Sequence, residues 1–334
     1  MKKLINTEYF SRVLRDRIID LNGRKILITN YIGTEQENDL SEPANCDGYG
    51  RIRHFRYHTS EGWPNNPLPI IPAVRALGLP VVSQINAQVF QNAACNWRCW
   101  YCYVPFSLLS GDSRKAGWLS CSQLIDLYLS QEPIPKIIDL TGGQPDLTPE
   151  WIVWMMRELQ RREIADKTYL WSDDNLSNDY FWQYLSEADI NLISSYPNYG
   201  KVCCFKGFSP ESFCFNTLAA PELYEQQFEL ITKFLKLNID LYAYVTLTSI
   251  SSSDAPNNVP RFIDRLQEIH KYLPLRTVPL EIKPFKAARK RMQGHEQQDA
   301  IRNQWQAVEI WSKEIKQRFT SEDQSLAITD ISLN

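Results

Sequence analysis

The sequence lacks any apolar run near the roughly 20 residues that a membrane span needs. Its amino terminus, MKKLINTEYFSRVLRDRII, offers no signal-like apolar stretch either, because Glu8, Arg12, Arg15 and Asp16 interrupt it. Charge of one sign is not in excess: 36 Lys and Arg against 39 Asp and Glu leave a formal charge of −3. Neither a nucleic-acid backbone nor an anionic membrane is therefore an expected partner. Repeats and low-complexity tracts are absent. Cysteine is sparse, eight in 334 residues, too few for a disulfide-dense scaffold. These absences leave a cytoplasmic globular protein as the expectation. The 43% hydrophobic and 22% charged composition suffices for one large domain with a smaller one attached.

What is present is a cluster. Cys95, Cys99 and Cys102 fall within eight positions, in CNWRCWYCYVP, while Cys46, Cys121, Cys203, Cys204 and Cys214 show no second spacing of this kind. Such crowding points to metal chemistry. A structural zinc completed by a cysteine or histidine elsewhere is one reading. A ferredoxin-type cluster with a distant fourth cysteine is another, although that spacing is Cys-x4-Cys-x2-Cys. A third is a four-iron cluster held by three thiolates, whose remaining iron is open to a ligand.

Thr7 can cap a helix running to about Asn22, stopped by Gly23 and followed by a strand in RKILITNYI. From Glu35 to Pro80 the chain is rich in Asn, Pro and Gly (SEPANCDGYG, GWPNNPLPIIP) and reads as irregular structure with short strands; its aromatics argue against disorder. After Val81, strands alternate with amphipathic helices, the pattern of a parallel α/β sheet. Six strands are expected: SQINAQVF, KIIDLTGG, TYLWSDD, KVCCFKG, DLYAYVTLT and PLEIKPF. In the helix PELYEQQFELITKFLKL, Leu223, Phe228, Ile231, Phe234 and Leu235 share a stripe. The fold class is α/β: an open partial barrel of six βα units with a small N-terminal accessory element. Expected boundaries are 1–82 for the accessory region, 83–286 for the barrel and 287–334 for a helical extension. The polar residues collect at the carboxyl ends of the strands, where parallel α/β folds bind ligands.

The cysteine segment, Cys-x3-Cys-x-aromatic-Cys with Tyr101 in the aromatic place, resembles the hallmark of the radical S-adenosylmethionine (SAM) superfamily. The similarity covers roughly 83–285 and is nearest in motif pattern to the pyruvate formate-lyase activating enzyme group. It implies a partial (β/α)6 barrel with the cysteine loop after its first strand. It also implies a [4Fe–4S] cluster on Cys95, Cys99 and Cys102, with SAM on the open iron. By the same resemblance, one electron cleaves SAM to methionine and a 5′-deoxyadenosyl radical, which abstracts hydrogen from a substrate. An electron donor such as flavodoxin or ferredoxin is implied.

LTGGQPDL resembles the superfamily's Gly-Gly-Glu-Pro motif, which puts Gly142, Gly143 and Gln144 at the SAM amino group, with Gln144 replacing the glutamate. Glycines there let main chain approach a ligand; a plain turn is the competing reading. In TYLWSDDNL, Asp173 and Asn175 match an Asp-Thr-Asn motif that contacts SAM, although short polar side chains also cap helices. In KVCCFKGFSPESFCFNT, Lys206 matches the lysine of an Asp-Leu-Lys segment and is a catalytic candidate, against a solvated charge or an ion-pair partner. Cys204 stands where the family has aspartate and is the second catalytic candidate, against a small buried hydrophobe. Strand neighbours point opposite ways, so only one of Cys203 and Cys204 should face the barrel interior. Lys283, in LEIKPF, lies by resemblance near the adenine. RIRHFRYH, residues 51–58, reads as a charged strand packed on one face by aromatics, or as a site where Arg51, Arg53 or His54 meets an anionic group. ARKRMQGH reads as a solvated linker.

Three functions follow. One is radical modification of a protein or peptide partner, another radical chemistry on an anionic small molecule or nucleotide enclosed between barrel and N-terminal element. The third is an iron–sulfur electron-transfer or sensing protein that never cleaves SAM.

Overall fold

Inside KIIDL, YLWSDD, KVCCF and DLYAYV, alternate residues divide into two sets, and the fold buries both. The structure, a computed structural model, describes residues 4–333. Its strands are β1 (Ile19–Asp20), β2 (Lys25–Thr29), β3 (Gly50–Arg56), β4 (Gln84–Phe90), β5 (Ala116–Ser120), β6 (Ile137–Leu140), β7 (Tyr169–Asp174), β8 (Tyr199–Phe205), β9 (Asp240–Val245) and β10 (Thr277–Pro279). Seven of them form one sheet in the order β10-β9-β8-β7-β6-β4-β3, parallel throughout except that β3 runs antiparallel to β4 at the edge. The sheet curls into a half barrel flanked by helices, an α/β architecture.

One parity of each strand (Ile138, Leu140, Leu170, Cys203, Phe205, Leu241, Ala243) meets the helices in the larger core. In the helix Glu150–Arg161, Trp151, Ile152, Met155, Met156 and Leu159 recur at helical spacing and are all buried against that face. The other parity (Ile137, Tyr169, Trp171, Val202, Tyr242, Tyr244) lines the concave side. An open half barrel would leave these large side chains in water. Here Leu68, Ile70, Ala73 and Val74, around the short helix Ile70–Ala76, cover them. Trp63 holds this segment to the far edge by donating to the Pro279 carbonyl at 3.1 Å. The stretch expected to be irregular thus supplies both an edge strand and the filling of the concave face.

Two boundaries differ from expectation. The first helix is Thr7–Ile18, and its cap is Asn6, whose side chain accepts from the Tyr9 amide; Thr7 is buried and accepts from the Trp97 indole at 3.1 Å. The sixth parallel strand is Thr277–Pro279, and LEIKPF leaves the sheet. The reason is a side chain: Gln304 takes both the amide and the carbonyl of Ile282, each at 2.9 Å, in place of ladder partners. Among the described residues no helix is long and apolar enough to cross a membrane.

Candidate active site at the carboxyl edge of the sheet

The loop after β4 carries the three cysteines and is bound on every side. The Ala93 amide donates to Leu27 of β2, and the Cys95 amide to Leu109. Trp97 and Trp100, both buried, anchor its two turns; the Trp100 indole donates to Asn216 at 2.9 Å. Asn92 fastens the loop to the next one, donating to the Gln144 carbonyl at 2.8 Å while its own carbonyl oxygen accepts from the Gln144 amide at 3.2 Å.

That next loop is Gly142-Gly143-Gln144-Pro145. Gly142 has φ +78°, left-handed backbone that favours glycine. A Cβ on Gly143 would fall onto the Asn92 side chain and within 2.6 Å of the Ala94 carbonyl. The missing side chain therefore makes room for the cysteine loop, where the sequence suggested room for a ligand. Gln144 is likewise turned inward: it donates to Asp174 Oδ1 at 2.7 Å and accepts from the Asn175 amide at 3.0 Å, tying the ends of β6 and β7 together. Beneath them lies Lys201, fully buried, with Nζ 2.5 Å from Asp146 and 3.9 Å from Asp174.

These loops enclose a cavity of about 210 Å³ at the carboxyl edge. Cys95, Cys99, Cys102, Tyr101, Gly142, Gly143, Gln144, Asp173, Asn175, Cys204 and Lys206 all line it, so eleven residues from four separate segments converge. Lys283 does not belong to it. That side chain is exposed and pairs with Glu281 at 3.1 Å; Glu281 and Ile282 reach the cavity instead, because the segment has left the strand geometry assumed for it. Of the paired thiols, Cys204 faces the cavity and Cys203 packs among the helices.

The electrostatics are uneven. Burial pushes the Cys99 thiol up to about 12. Burial by itself would lower the Lys206 ammonium, but Cys204, Tyr101, Cys99 and Cys95 around it raise it well above its ordinary value. A cation is thus held against the cysteines. Asn175 Nδ2 lies 3.7 Å from Cys95 Sγ. At the end of β7, Asp173 Oδ1 and Asn175 Oδ1 are buried without a hydrogen-bond partner. Both are acceptors, so a ligand in the cavity must bring donors.

No protein-family model matches the chain, and no curated protein matches it. Among solved structures the chain is similar to Streptococcus suis SuiB bound to S-adenosylmethionine, at 13% identity and TM-score 0.37, over 53% of this chain and 36% of that one. It is also similar to SuiB bound to precursor peptide SuiA, at 10% identity and TM-score 0.38, over 67% of this chain and 57% of that one. The chain thus spans less than two thirds of either SuiB chain, and likeness at this level decides neither family nor substrate.

The donor set fits the cluster and the nucleoside that the sequence implies. Three thiols from one loop line one cavity with the half-buried Lys206, and the unpartnered acceptors suit an ammonium and ribose hydroxyls. Among the described residues no three His, Cys, Asp or Glu are drawn tightly enough for a single ion. A four-iron cluster takes each thiolate on a different iron, so its ligands stand wider apart than those of one zinc.

Several residues escaped the sequence reading. Arg291, in the run taken for a solvated linker, donates to the carbonyls of Cys102 and Val104, with its guanidinium 4.1 Å from the Phe106 ring. Of the three basic residues that the sequence offered for an anionic group, Arg53 lines the cavity and donates to Asp139 at 3.1 Å; His54, on the other face of β3, turns away to Glu42 at 2.8 Å. Asp139 and Lys201 did carry a signal: each is a charge within an otherwise apolar buried strand.

Proposed function

We propose that this chain is a radical SAM enzyme. The observation that carries the reading is the convergence on one cavity of Cys95, Cys99 and Cys102, the Gly142-Gly143 turn and Asn175, from three consecutive strand ends. When bound, the [4Fe–4S] cluster and SAM supply one electron and a 5′-deoxyadenosyl radical, with methionine as the other product. The protein's part is to position and to exclude water, since a primary carbon radical attacks whatever is nearest. Cys95, Cys99 and Cys102 would hold the cluster. Lys206 balances the negative charge of their thiolates, and Gly142, Gly143 and Asn175 present main chain and an acceptor to SAM. Tyr101, buried, is fixed by a 3.1 Å hydrogen bond to Thr246 and walls the site. Cys204 brings a thiol to the same space, and burial keeps it protonated at neutral pH, pushing it up to about 12.

For the substrate, the charged side chains Arg53, Asp173 and Lys206 lining the cavity above a filled concave face favour a small charged molecule. A protein or peptide is the second reading, favoured by Phe285, an aromatic at the mouth that is 42% exposed. The test of the enzyme is direct. Protein loaded anaerobically with iron and sulfide should convert SAM to 5′-deoxyadenosine and methionine when dithionite is added. Persistent absence of 5′-deoxyadenosine in a fully loaded sample would leave an electron-transfer or sensing protein.

A further inference from the structure

A line of polar side chains runs from the first helix to the cysteine loop. The Ser11 hydroxyl donates to the Thr7 carbonyl at 2.7 Å. Asn96 Nδ2 lies 2.8 Å from Ser11 Oγ and 2.7 Å from Ser177 Oγ. Asn96 Oδ1 lies 3.2 Å from Asn175 Nδ2, and that nitrogen is also 3.7 Å from Cys95 Sγ. Ser11, Asn96, Ser177 and Asn175 are all buried.

The polarity of this line is fixed at its far end. The Ser11 and Thr7 oxygens stand 2.7 Å apart, which needs the single hydroxyl proton between them. Towards Asn96 the hydroxyl can then only accept. Asn96 must therefore turn its amino group to Ser11 and its carbonyl oxygen to Asn175. Asn175 has to meet that oxygen with its own amino group, and the second amide hydrogen is left for Cys95 Sγ. A flipped Asn175 would set two carbonyl oxygens against each other. The orientation also leaves Asn175 Oδ1 over, and that atom is buried without a partner.

Hydrogen bonds to the sulfurs of a cluster favour its more negative, reduced state and so raise its reduction potential. Resting on the radical SAM reading above, we propose that Ser11, Asn96 and Asn175 are positioning residues, an oriented relay that holds an N–H on the Cys95 sulfur and raises the reduction potential of the cluster.

The proposal is tested by redox titration of anaerobically loaded protein without SAM, followed by the electron paramagnetic resonance of the reduced cluster. Ser11→Ala removes the group that sets the polarity, on a helix that alanine suits and away from the residues lining the cavity. At the wild-type midpoint its ratio of reduced to oxidised cluster should fall at least about threefold, read from the shift of the one-electron couple. Iron content should stay unchanged, and Ser11→Thr, which keeps the hydroxyl, should restore the ratio. Asn175→Ala should lower the ratio at least as far. Wild type labelled with heavy nitrogen in its asparagine side chains should show a nitrogen coupling to the reduced cluster, whether or not the variants fold. An unmoved potential in both alanine variants overturns the proposal, as does wild type without that coupling. An equal fall in Ser11→Thr also overturns it and marks the line as packing alone. SAM cleavage with an unmoved potential defeats this inference alone, and a potential that moves in a chain that never cleaves SAM defeats the enzyme reading instead. A chain that loads no four-iron cluster defeats both.

Discussion

Lys201 Nζ lies 2.5 Å from Asp146 Oδ2, with both side chains almost wholly removed from solvent. The pair joins the middle of β8 to the turn that follows β6, and through Asp174 and Gln144 it reaches the cavity wall. Phe234 packs its ring 4.9 Å from the same ammonium. Nothing about Lys201 touches a ligand; it sets the loops that do.

Removing one member of a buried ion pair leaves the other charge uncompensated, at a cost of about 3–5 kcal/mol. Lys201→Met should destabilise the fold by that order in urea titrations, whereas Lys201→Met with Asp146→Leu should recover part of the loss. A single substitution with no effect on the midpoint would mean that water reaches the pair.

Gly143→Ala tests the packing of two loops. Because the new Cβ meets Asn92 and the Ala94 carbonyl, the cysteine loop must shift, and overpacking of this kind costs typically 1–3 kcal/mol. Iron retained after anaerobic loading should fall well below wild type, with the circular dichroism of the helices preserved. Full iron content would show that the loops can part without consequence.

Alanine at Cys95, Cys99 or Cys102 should each abolish most of the bound iron and its visible absorbance. Alanine at Cys203, which packs among the helices, should leave both intact. Iron that survives loss of any one of the three would point to a ligand outside this loop.

Asp139 gives a pH signature. Burial pushes its carboxyl up from an ordinary 3.8 to about 7, with Asp173 adding to the rise and Arg53 and Arg51 opposing it. The folded chain thus binds this proton more tightly than the unfolded chain. The stability it contributes is full below about pH 4 and is lost as pH rises towards 7. The advantage of wild type over Asp139→Asn should therefore shrink by roughly 1–3 kcal/mol between about pH 5 and pH 8 in paired urea titrations. Equal differences at the two pH values would mean an Asp139 that stays ionised throughout.

Local rules made much of this legible. Strand and helix periods depend on neighbours in sequence, so five of the six parallel strands and the amphipathic helices could be read from burial patterns such as that of Glu150–Arg161. Lys283 could not, because its strand is ended by a side chain from a helix more than 20 residues later. Arg291 read as part of a solvated linker and Arg53 as a strand charge or a contact for an anionic group, since no local pattern says which carbonyl or carboxylate will face them.

By itself the sequence determined the α/β pattern and the three-cysteine loop, because spacing and alternation are properties of adjacent residues. Only the tertiary structure decided that residues 68–74 fill the concave face, that glycines serve loop packing, and that Arg53 meets the buried Asp139. Those are contacts between segments far apart in the chain, and burial, charge balance and hydrogen-bond completion act on them only once the sheet has curled.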